Sequence, residues 1–199
     1  MSRRLTVNSV RLAVLCLFAF APLFSVAQAP IFTISQSDSS VKFYVKASVA
    51  LTGTFEKWDS TLTFTSTDVS TGVLDIKIQA DSVNTGSGMK DGKLKSKEFF
   101  DVKENPLITF HSEKVVQTGP NTFDLPGTFT IRGVSKPETL TFTATGIGTG
   151  SGEVKGTMAF DRKDYGMTHG IPFVTIADRI EVTVNLKGTR SGPPLVFKP

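Results

Sequence analysis

Apolar and polar residues alternate in short runs along residues 31–188 of this 199-residue chain. In one run Val41, Phe43 and Val45 alternate with Lys42 and Tyr44; similar runs cover residues 61–65, 74–79, 108–111, 129–131, 140–144, 154–160 and 180–186. Alternation with period two places one face of a strand on a core and the other in water, which is typical of antiparallel sheet. Glycine- and proline-containing turns separate the runs at residues 68–72, 119–121, 133–137 and 146–152. The pattern therefore predicts an all-β domain, and by itself it leaves a sandwich and a barrel open.

Two segments interrupt this alternation. Residues 87–102 are mostly charged but carry Met89, Leu94, Phe99 and Phe100 as apolar anchors. We interpret them as a short helical crossover over about residues 91–97, weakened by Gly92, that lays Leu94 and the Phe99–Phe100 pair on the mouth of a barrel. Residues 189–199 contain three prolines and are predicted to form an extended tail.

The first 29 residues have the pattern of a secretory signal peptide. Three arginines precede an apolar run at residues 12–24, which is shorter than the roughly 20 residues that span a bilayer. The run ends in small residues at Ala27 and Ala29, as a signal-peptidase site requires. We therefore expect cleavage near Ala29 and a periplasmic or secreted product; an uncleaved membrane anchor is the alternative.

Removal of this segment changes the charge and the redox chemistry of the chain. The full sequence has 22 Lys and Arg against 18 Asp and Glu, and three of the arginines lie before residue 30, which leaves 19 against 18. A near-neutral product gives no reason to expect nucleic-acid binding. Cys16, the one cysteine in the sequence, also lies there, so we expect neither a disulfide nor a thiolate metal site.

Residues for catalysis are sparse in the sequence. His111 and His169 are the only histidines, no G-x-S-x-G motif occurs, and the glycines at residues 146–152 are not followed by a helix that could bind phosphate. The DRKD run at residues 161–164 pairs its acids with cations, as a loop ion-pair cluster does. We therefore predict a protein that is not an enzyme and has no metal or cofactor. An enzyme that uses the 161–165 loop is the less favoured alternative.

Phenylalanine is abundant in the part of the chain that follows the signal. Of the 16 Phe, three lie in the signal and thirteen remain, against two Tyr and one Trp. They could fill a solid core, as in a structural or stress-related secreted β-domain, which the pattern alone favours. They could also line a hollow, because a barrel of about eight strands has room for one small ligand.

Six sequence blocks together resemble the YceI-like family, in the order in which that family has them: GTFEKW at 53–58, DSVNTG at 81–86, KDGKLKSKEFFDV at 90–102, NPLITFHS at 105–112, GTFTIRGVSKP at 127–137 and DRKDYG at 161–166. The resemblance implies an extended antiparallel lipocalin-like β-barrel over residues 30–188, exported to the periplasm, with a long tunnel. It also implies binding of a polyisoprenoid lipid, an isoprenoid quinone or an amphiphilic amide, without catalytic residues. The chain has Ala47, Lys90 and Lys93 where the family often has His, Arg and His, so the head group of the ligand stays open.

On this basis we predict a carrier or reservoir for an apolar lipid, with transient membrane contact and a homodimer as further expectations. Leu94, Phe99 and Phe100 are expected to cover the entrance, and the polar end of a ligand is expected near Arg162, Asp164 or Tyr165. The candidate lining residues are Phe43, Val45, Phe55, Phe64, Ile76, Ile78, Ile108, Phe110, Phe129, Ile131, Phe142, Phe160, Val182 and Val184.

Overall fold

The computed structural model describes residues 28–48, 50–170 and 175–197, so most of the predicted signal peptide lies outside the described residues. Strands dominate this part of the chain, which confirms the all-β prediction. The strands are β1 (Ile31–Ala47), β2 (Leu51–Phe55), β3 (Trp58–Thr63), β4 (Val73–Gln79), β5 (Val83–Asn84), β6 (Leu107–Ser112), β7 (Val116–Gln117), β8 (Thr122–Ile131), β9 (Val134–Thr145), β10 (Ser151–Asp161) and β11 (Ile176–Ser191). One α-helix, α1 (Gly88–Lys95), and short 3-10 turns at Val69–Thr71, Ala80–Ser82 and Arg162–Tyr165 complete the fold.

All these strands belong to one antiparallel sheet that curls on itself. The hydrogen-bonded order is β3-β4-β6-β8-β9-β10-β11-β1-β2-β5, and β7 pairs with β8 beside this path. Only Glu56 and Lys57 separate β2 from β3, although β3 is the first strand in this order and β2 is the last but one. The side-chain amide of Gln36 in β1 also donates to the carbonyl of Trp58 in β3 at 2.9 Å. The two ends of the sheet therefore meet, and the sheet encloses an interior like that of a lipocalin.

The described part of the chain has eleven strands, where the sequence predicted about eight. The difference arises because β5 and β7 have two residues each and because the chain bends at Glu56 and Lys57, which divides one long strand into β2 and β3. If β5 and β7 are left out and β2 and β3 are counted as one strand, eight long strands remain.

The alternation along each strand sorts the side chains as the sequence predicted. In β4, Leu74, Ile76 and Ile78 are 0%, 2% and 7% exposed, whereas Asp75 and Lys77 point outwards. Burial of such apolar side chains stabilises a fold by roughly 1.5–3 kcal/mol each. The inward faces of the long strands together form a single apolar cluster inside the barrel.

The helical crossover is present, three residues earlier than predicted at its start. The backbone N–H of Asp91 donates to the carbonyl of Ser87 at 2.9 Å, which forms the first turn. The Asp91 carboxylate accepts hydrogen bonds from the Thr85 backbone N–H at 2.8 Å and from the Thr85 hydroxyl at 2.7 Å. These bonds to the preceding loop hold the helix despite Gly92. No helix in the described ranges is long and apolar enough to cross a membrane.

The C-terminal segment, which was predicted to be an extended tail, is docked on the barrel. Strand β11 continues to Ser191, and the chain then turns back along the barrel. Val196 exchanges backbone hydrogen bonds with the loop before β4, donating to Thr67 at 2.8 Å and accepting from Val69 at 3.3 Å. The Phe197 ring lies 6.0 Å from that of Phe123, because the apolar residues between the prolines of this segment can pack on the core.

Candidate functional site

A large apolar cavity of about 770 Å³ occupies the end of the barrel that α1 covers. Its wall comes from the inward faces of β1, β2, β4, β6, β8, β10 and β11. The lining residues are Val41, Phe43, Val45, Ala47, Leu51, Phe55, Ile78, Met89, Lys90, Gly92, Lys93, Leu94, Ser96, Phe99, Phe100, Ile108, Phe129, Ile131, Phe160, Arg162, Met167, Ile176, Ile180 and Val182. We refer to this space as the large cavity.

Aromatic side chains pack closely along one part of the wall of the large cavity. The Phe43 ring lies against Gly53 of the neighbouring strand, where any side chain beyond hydrogen would collide with it. The absence of a side chain at Gly53 therefore leaves room for this ring. Phe43 also contacts Phe55, with ring centroids 5.6 Å apart, and Phe55 in turn lies 6.0 Å from Phe100 of the crossover. These three contacting rings extend from the wall of the large cavity to its mouth.

The mouth of the large cavity is lined by α1 and the residues that follow it. The backbone N–H of Phe100 donates to the carbonyl of Leu94 at 2.9 Å, which folds the Phe99–Phe100 pair back beneath the helix. Lys93 forms an ion pair with Glu98 and lies 5.9 Å from the centre of the Phe99 ring. The hydrogen bond from Lys93 lowers the pKa of the Glu98 carboxyl from its ordinary value. The mouth is thus apolar beneath and carries an ion pair at its rim.

A small cavity of about 160 Å³ lies at the opposite end of the barrel. It is lined by Phe32, Ile34, Leu62, Phe64, Val69, Leu74, Val115, Phe123, Leu125, Phe142, Ala144, Val154 and Leu186, by residues of the 145–153 turn region, and by the C-terminal segment through Pro194, Leu195 and Phe197. The docked C-terminal segment therefore forms part of the wall of the small cavity.

A packed layer separates the two cavities. Ile76, Phe110, Leu140, Met158 and Val184 are 1–8% exposed and line neither cavity. On β4, Leu74 lines the small cavity and Ile78 the large one, with Ile76 between them; on β11, Leu186 and Val182 flank Val184 in the same way. The resemblance implied a long tunnel, and the structure instead has two hollows divided by tightly packed side chains.

The large cavity brings together thirteen of the nineteen residues predicted as ligand contacts: Phe43, Val45, Phe55, Ile78, Leu94, Phe99, Phe100, Ile108, Phe129, Ile131, Phe160, Arg162 and Val182. Phe64 and Phe142 line the small cavity. Ile76, Phe110 and Val184 belong to the packed layer, and Tyr165 lines neither cavity. Ligand contact by these residues stays a prediction.

Arg162 lines the large cavity, but its guanidinium is already engaged. It donates to the backbone carbonyls of Met167, of His169 at 3.0 Å and of Ala177 at 3.3 Å, and its Nη2 lies 3.1 Å from the Asp178 carboxylate. These partners belong to the segments on either side of residues 171–174. Arg162 therefore links these two segments of the cavity wall through hydrogen bonds and an ion pair.

Tyr165 and Asp164 lie away from the interior space. Tyr165 is 0% exposed, its ring packs edge-on against Phe129 and Phe160 at 5.5 and 5.1 Å, and its hydroxyl donates to Glu138 at 3.0 Å. Burial, with the Glu138 carboxylate beside it, raises the pKa of the Tyr165 hydroxyl above its ordinary value. Asp164 is exposed and lies 3.4 Å from Lys136.

Sequence reasoning missed eleven residues of the large cavity: Val41, Ala47, Leu51, Met89, Lys90, Gly92, Lys93, Ser96, Met167, Ile176 and Ile180. The signal for two of them was present, because Val41 and Ile180 share the inward parity of Phe43 and Val182. Ala47, Lys90 and Lys93, the three departures from the family's usual residues, all line this cavity.

The charged groups considered for chemistry form surface ion pairs. Asp178 accepts from Lys163 at 2.7 Å, and this bond lowers the pKa of the Asp178 carboxyl from its ordinary value. Asp161 caps the 161–165 turn by accepting the backbone N–H of Lys163 at 2.8 Å. His111 lies 2.7 Å from Asp75 on the outer face of the barrel. Within the described ranges no three His, Cys, Asp or Glu side chains cluster as metal ligands.

The family of the chain follows from comparison with known proteins. The family model described as the YceI-like domain matches residues 32–188, which include every strand that surrounds the large cavity except the first residue of β1 and the last three of β11. The chain belongs to the YceI-like family. Protein YceI of Salmonella arizonae is 38% identical to this YceI-like chain over 90 residues, 45% of the chain and 47% of that relative. The chain thus spans about half the length of the curated relatives it matches.

Solved structures share the fold of this YceI-like domain. The crystal structure of Burkholderia cenocepacia BcnA has a TM-score of 0.72 at 23% identity and covers 79% of this chain and 100% of its own. A domain from Saccharophagus degradans, described as a polyisoprenoid binding domain implicated in plant cell wall breakdown, has a TM-score of 0.61 at 15% identity, over 80% of this chain and 98% of its own. These likenesses show that the fold of the chain is shared with these two solved structures.

Proposed function

We propose that this chain binds an apolar lipid of the polyisoprenoid class in the large cavity and carries or stores it without changing it chemically. A free polyisoprenoid or an isoprenoid quinone would suit this proposal, and an amphiphilic amide is the alternative ligand. The single observation that carries it is the large cavity of about 770 Å³, walled by aromatic and aliphatic side chains. Ligand pockets commonly measure about 300–1,000 Å³ and are lined in this way.

Physical chemistry favours a hydrocarbon occupant for such a hollow. Side chains that face empty space lose the dispersion contacts that a packed neighbour would give them. Each methylene that leaves water for this interior contributes about 0.8 kcal/mol, less the cost of ordering the chain. A long apolar chain therefore gains free energy by burial alone, which agrees with the polyisoprenoid that the Saccharophagus domain is described as binding.

The side chains at the mouth favour an amphiphilic ligand that is taken from a membrane surface. Lys90, Lys93 and Ser96 lie at the rim, where a polar end could remain in contact with water. Met89 beside them is 89% exposed, although methionine is usually buried. We include in the proposal a transient contact of this rim with a lipid surface, and a periplasmic or extracellular place of action, which the amino-terminal sequence pattern supports.

Solvent extraction of the purified native protein, followed by mass spectrometry of the extract, tests the proposal. The expected result is an isoprenoid lipid in an amount close to one molecule per chain. An extract without a lipid, together with no displacement of an apolar dye by added isoprenoids, would contradict it.

Two matched substitutions assign the lipid to a cavity. Val182 lines the large cavity and Val154 the small one, and both are half-buried strand residues. Val182→Trp fills part of the large cavity and should lower the lipid content of the purified protein several-fold. Val154→Trp should leave the lipid content unchanged. Equal loss in the two variants would speak against the large cavity as the site.

A further inference from the structure

The packed layer lies across the path that a long hydrocarbon chain would follow through the barrel. On β4, β10 and β11, the residues nearest the mouth line the large cavity, a residue of the packed layer follows, and those farther on line the small cavity. On β10 this order is Phe160, Met158 and Val154. A chain that enters at the mouth therefore reaches packed side chains before it reaches the small cavity.

The volumes convert into a length of hydrocarbon. A cavity of about 150 Å³ in another protein holds one benzene ring, which corresponds to about 25 Å³ for each non-hydrogen atom. On this scale the large cavity of about 770 Å³ holds roughly 30 atoms, or about six isoprene units. The small cavity of about 160 Å³ holds roughly one ring-sized group.

We propose that the packed layer limits the hydrocarbon chain that this protein buries to about six isoprene units. The inference rests on the proposed function and adds a length selection to it. Ile76 and Leu140 are 2% and 1% exposed, so a longer chain can advance only by displacing close-packed side chains. Further units remain at the mouth in water and add little to the affinity, because burial is the source of the gain.

Titration of the delipidated full-length mature protein with prenyl alcohols of increasing length tests this limit. The probes are farnesol, geranylgeraniol, hexaprenol and solanesol, and the readout is displacement of the apolar dye N-phenylnaphthylamine. We expect the affinity to rise by roughly tenfold or more for each added unit up to hexaprenol. Solanesol should bind no more tightly than hexaprenol. A continued rise from hexaprenol to solanesol would overturn the limit while leaving the proposed function intact.

Substitutions in the packed layer provide the second arm. Phe110→Ala and Met158→Ala remove side chains that line neither cavity and should join the two hollows. The solanesol-to-hexaprenol affinity ratio should then rise about tenfold, since more of the longer chain is buried. Met158→Ala is the milder change and serves if Phe110→Ala does not fold. Because the readout is a ratio within one variant, a uniform loss of active protein does not affect it.

Phe64→Ala is the matched control. It also removes a phenyl ring, but on the wall of the small cavity, so it enlarges that hollow without opening the packed layer. Its affinity ratio should equal that of the unaltered protein. An unchanged ratio in both layer variants, or an equal rise in the control, would overturn the role of the packed layer. Failure of every prenyl alcohol to displace the dye would overturn the proposed function and the length limit together.

Discussion

Arg162 provides the sharpest test of how the wall of the large cavity is built. Replacement by Met keeps much of the apolar length of the side chain and removes every donor. The carbonyls of Met167, His169 and Ala177 then lose their hydrogen-bond donor, and Asp178 loses one of its two cations. The substitution therefore distinguishes a structural role of Arg162 in the cavity wall from a role in ligand binding.

The expected loss of stability follows from these contacts. Hydrogen bonds to a charged group contribute about 1.5–3 kcal/mol each, and breaking a buried charged group from its partners costs about 3–5 kcal/mol. We discount the Asp178 contact, because this side chain is 37% exposed and keeps Lys163. A decrease of about 3–5 kcal/mol in the free energy of unfolding remains, which for a chain of this size lowers Tm by roughly 6–20 °C.

Urea unfolding of the delipidated protein, followed by circular dichroism, measures this change. Arg162→Lys should lose most of the same stability, because an ammonium cannot reproduce the planar fork of donors. Lys163→Met, which removes the exposed partner of the same carboxylate, should cost less than about 1 kcal/mol. If Arg162→Met unfolded like the unaltered protein and lost only the binding of anionic lipids, our reasoning would be refuted and Arg162 would be a head-group ligand.

Three further predictions concern single contacts. Ser112→Ala should lower the free energy of unfolding in urea by about 1–3 kcal/mol, because the fully buried hydroxyl accepts the backbone N–H of Leu74 at 2.7 Å; no change would mean that water replaces the bond. Gly92→Ala should raise it by about 0.5–1 kcal/mol, since a Cβ in this helix meets nothing within 4 Å. Asp178→Asn should make Tm fall less steeply on acidification, because Lys163 holds the pKa of Asp178 below its ordinary value. The stability that the Asp178 carboxylate contributes is fully present when the pH is above the ordinary pKa, and it is lost as the pH falls through the lowered pKa. A Tm profile parallel to that of the unaltered protein would contradict the last prediction.

The period-two pattern alone was enough to predict which side chains point inwards. Phe43 and Ile78 follow the alternation of their strands, and both line the large cavity. The apolar anchors Leu94, Phe99 and Phe100 likewise identified the segment that covers the mouth. These predictions succeed because side-chain direction in a strand is a local property.

The sequence could not show which inward residues line a hollow. Ile76 and Ile78 have the same type and parity, yet Ile76 belongs to the packed layer and Ile78 to the large cavity. The difference depends on strand tilt and on what faces each residue across the barrel, which no local pattern contains. The contacts of Arg162 could not be predicted for a related reason: its neighbours Asp161 and Lys163 are exposed, and its partners lie up to sixteen residues away.

The bend at Glu56 and Lys57 also affects where the protein tolerates new chain termini. The two ends of the sheet are joined there by the chain itself, and within the described ranges no strand ladder connects β3 to β1 or β2. New termini at the bend would remove one of two backbone connections between these ends, the other being Ala80–Ser82 between β4 and β5, and would so weaken the closure of the sheet. New termini among the exposed glycines of the β9–β10 turn would leave the enclosure intact, because the eleven-residue pairing of β10 with β11 persists on one side and the β8–β9 ladder on the other. Circular permutation at the bend should therefore lower the free energy of unfolding more than circular permutation in the β9–β10 turn.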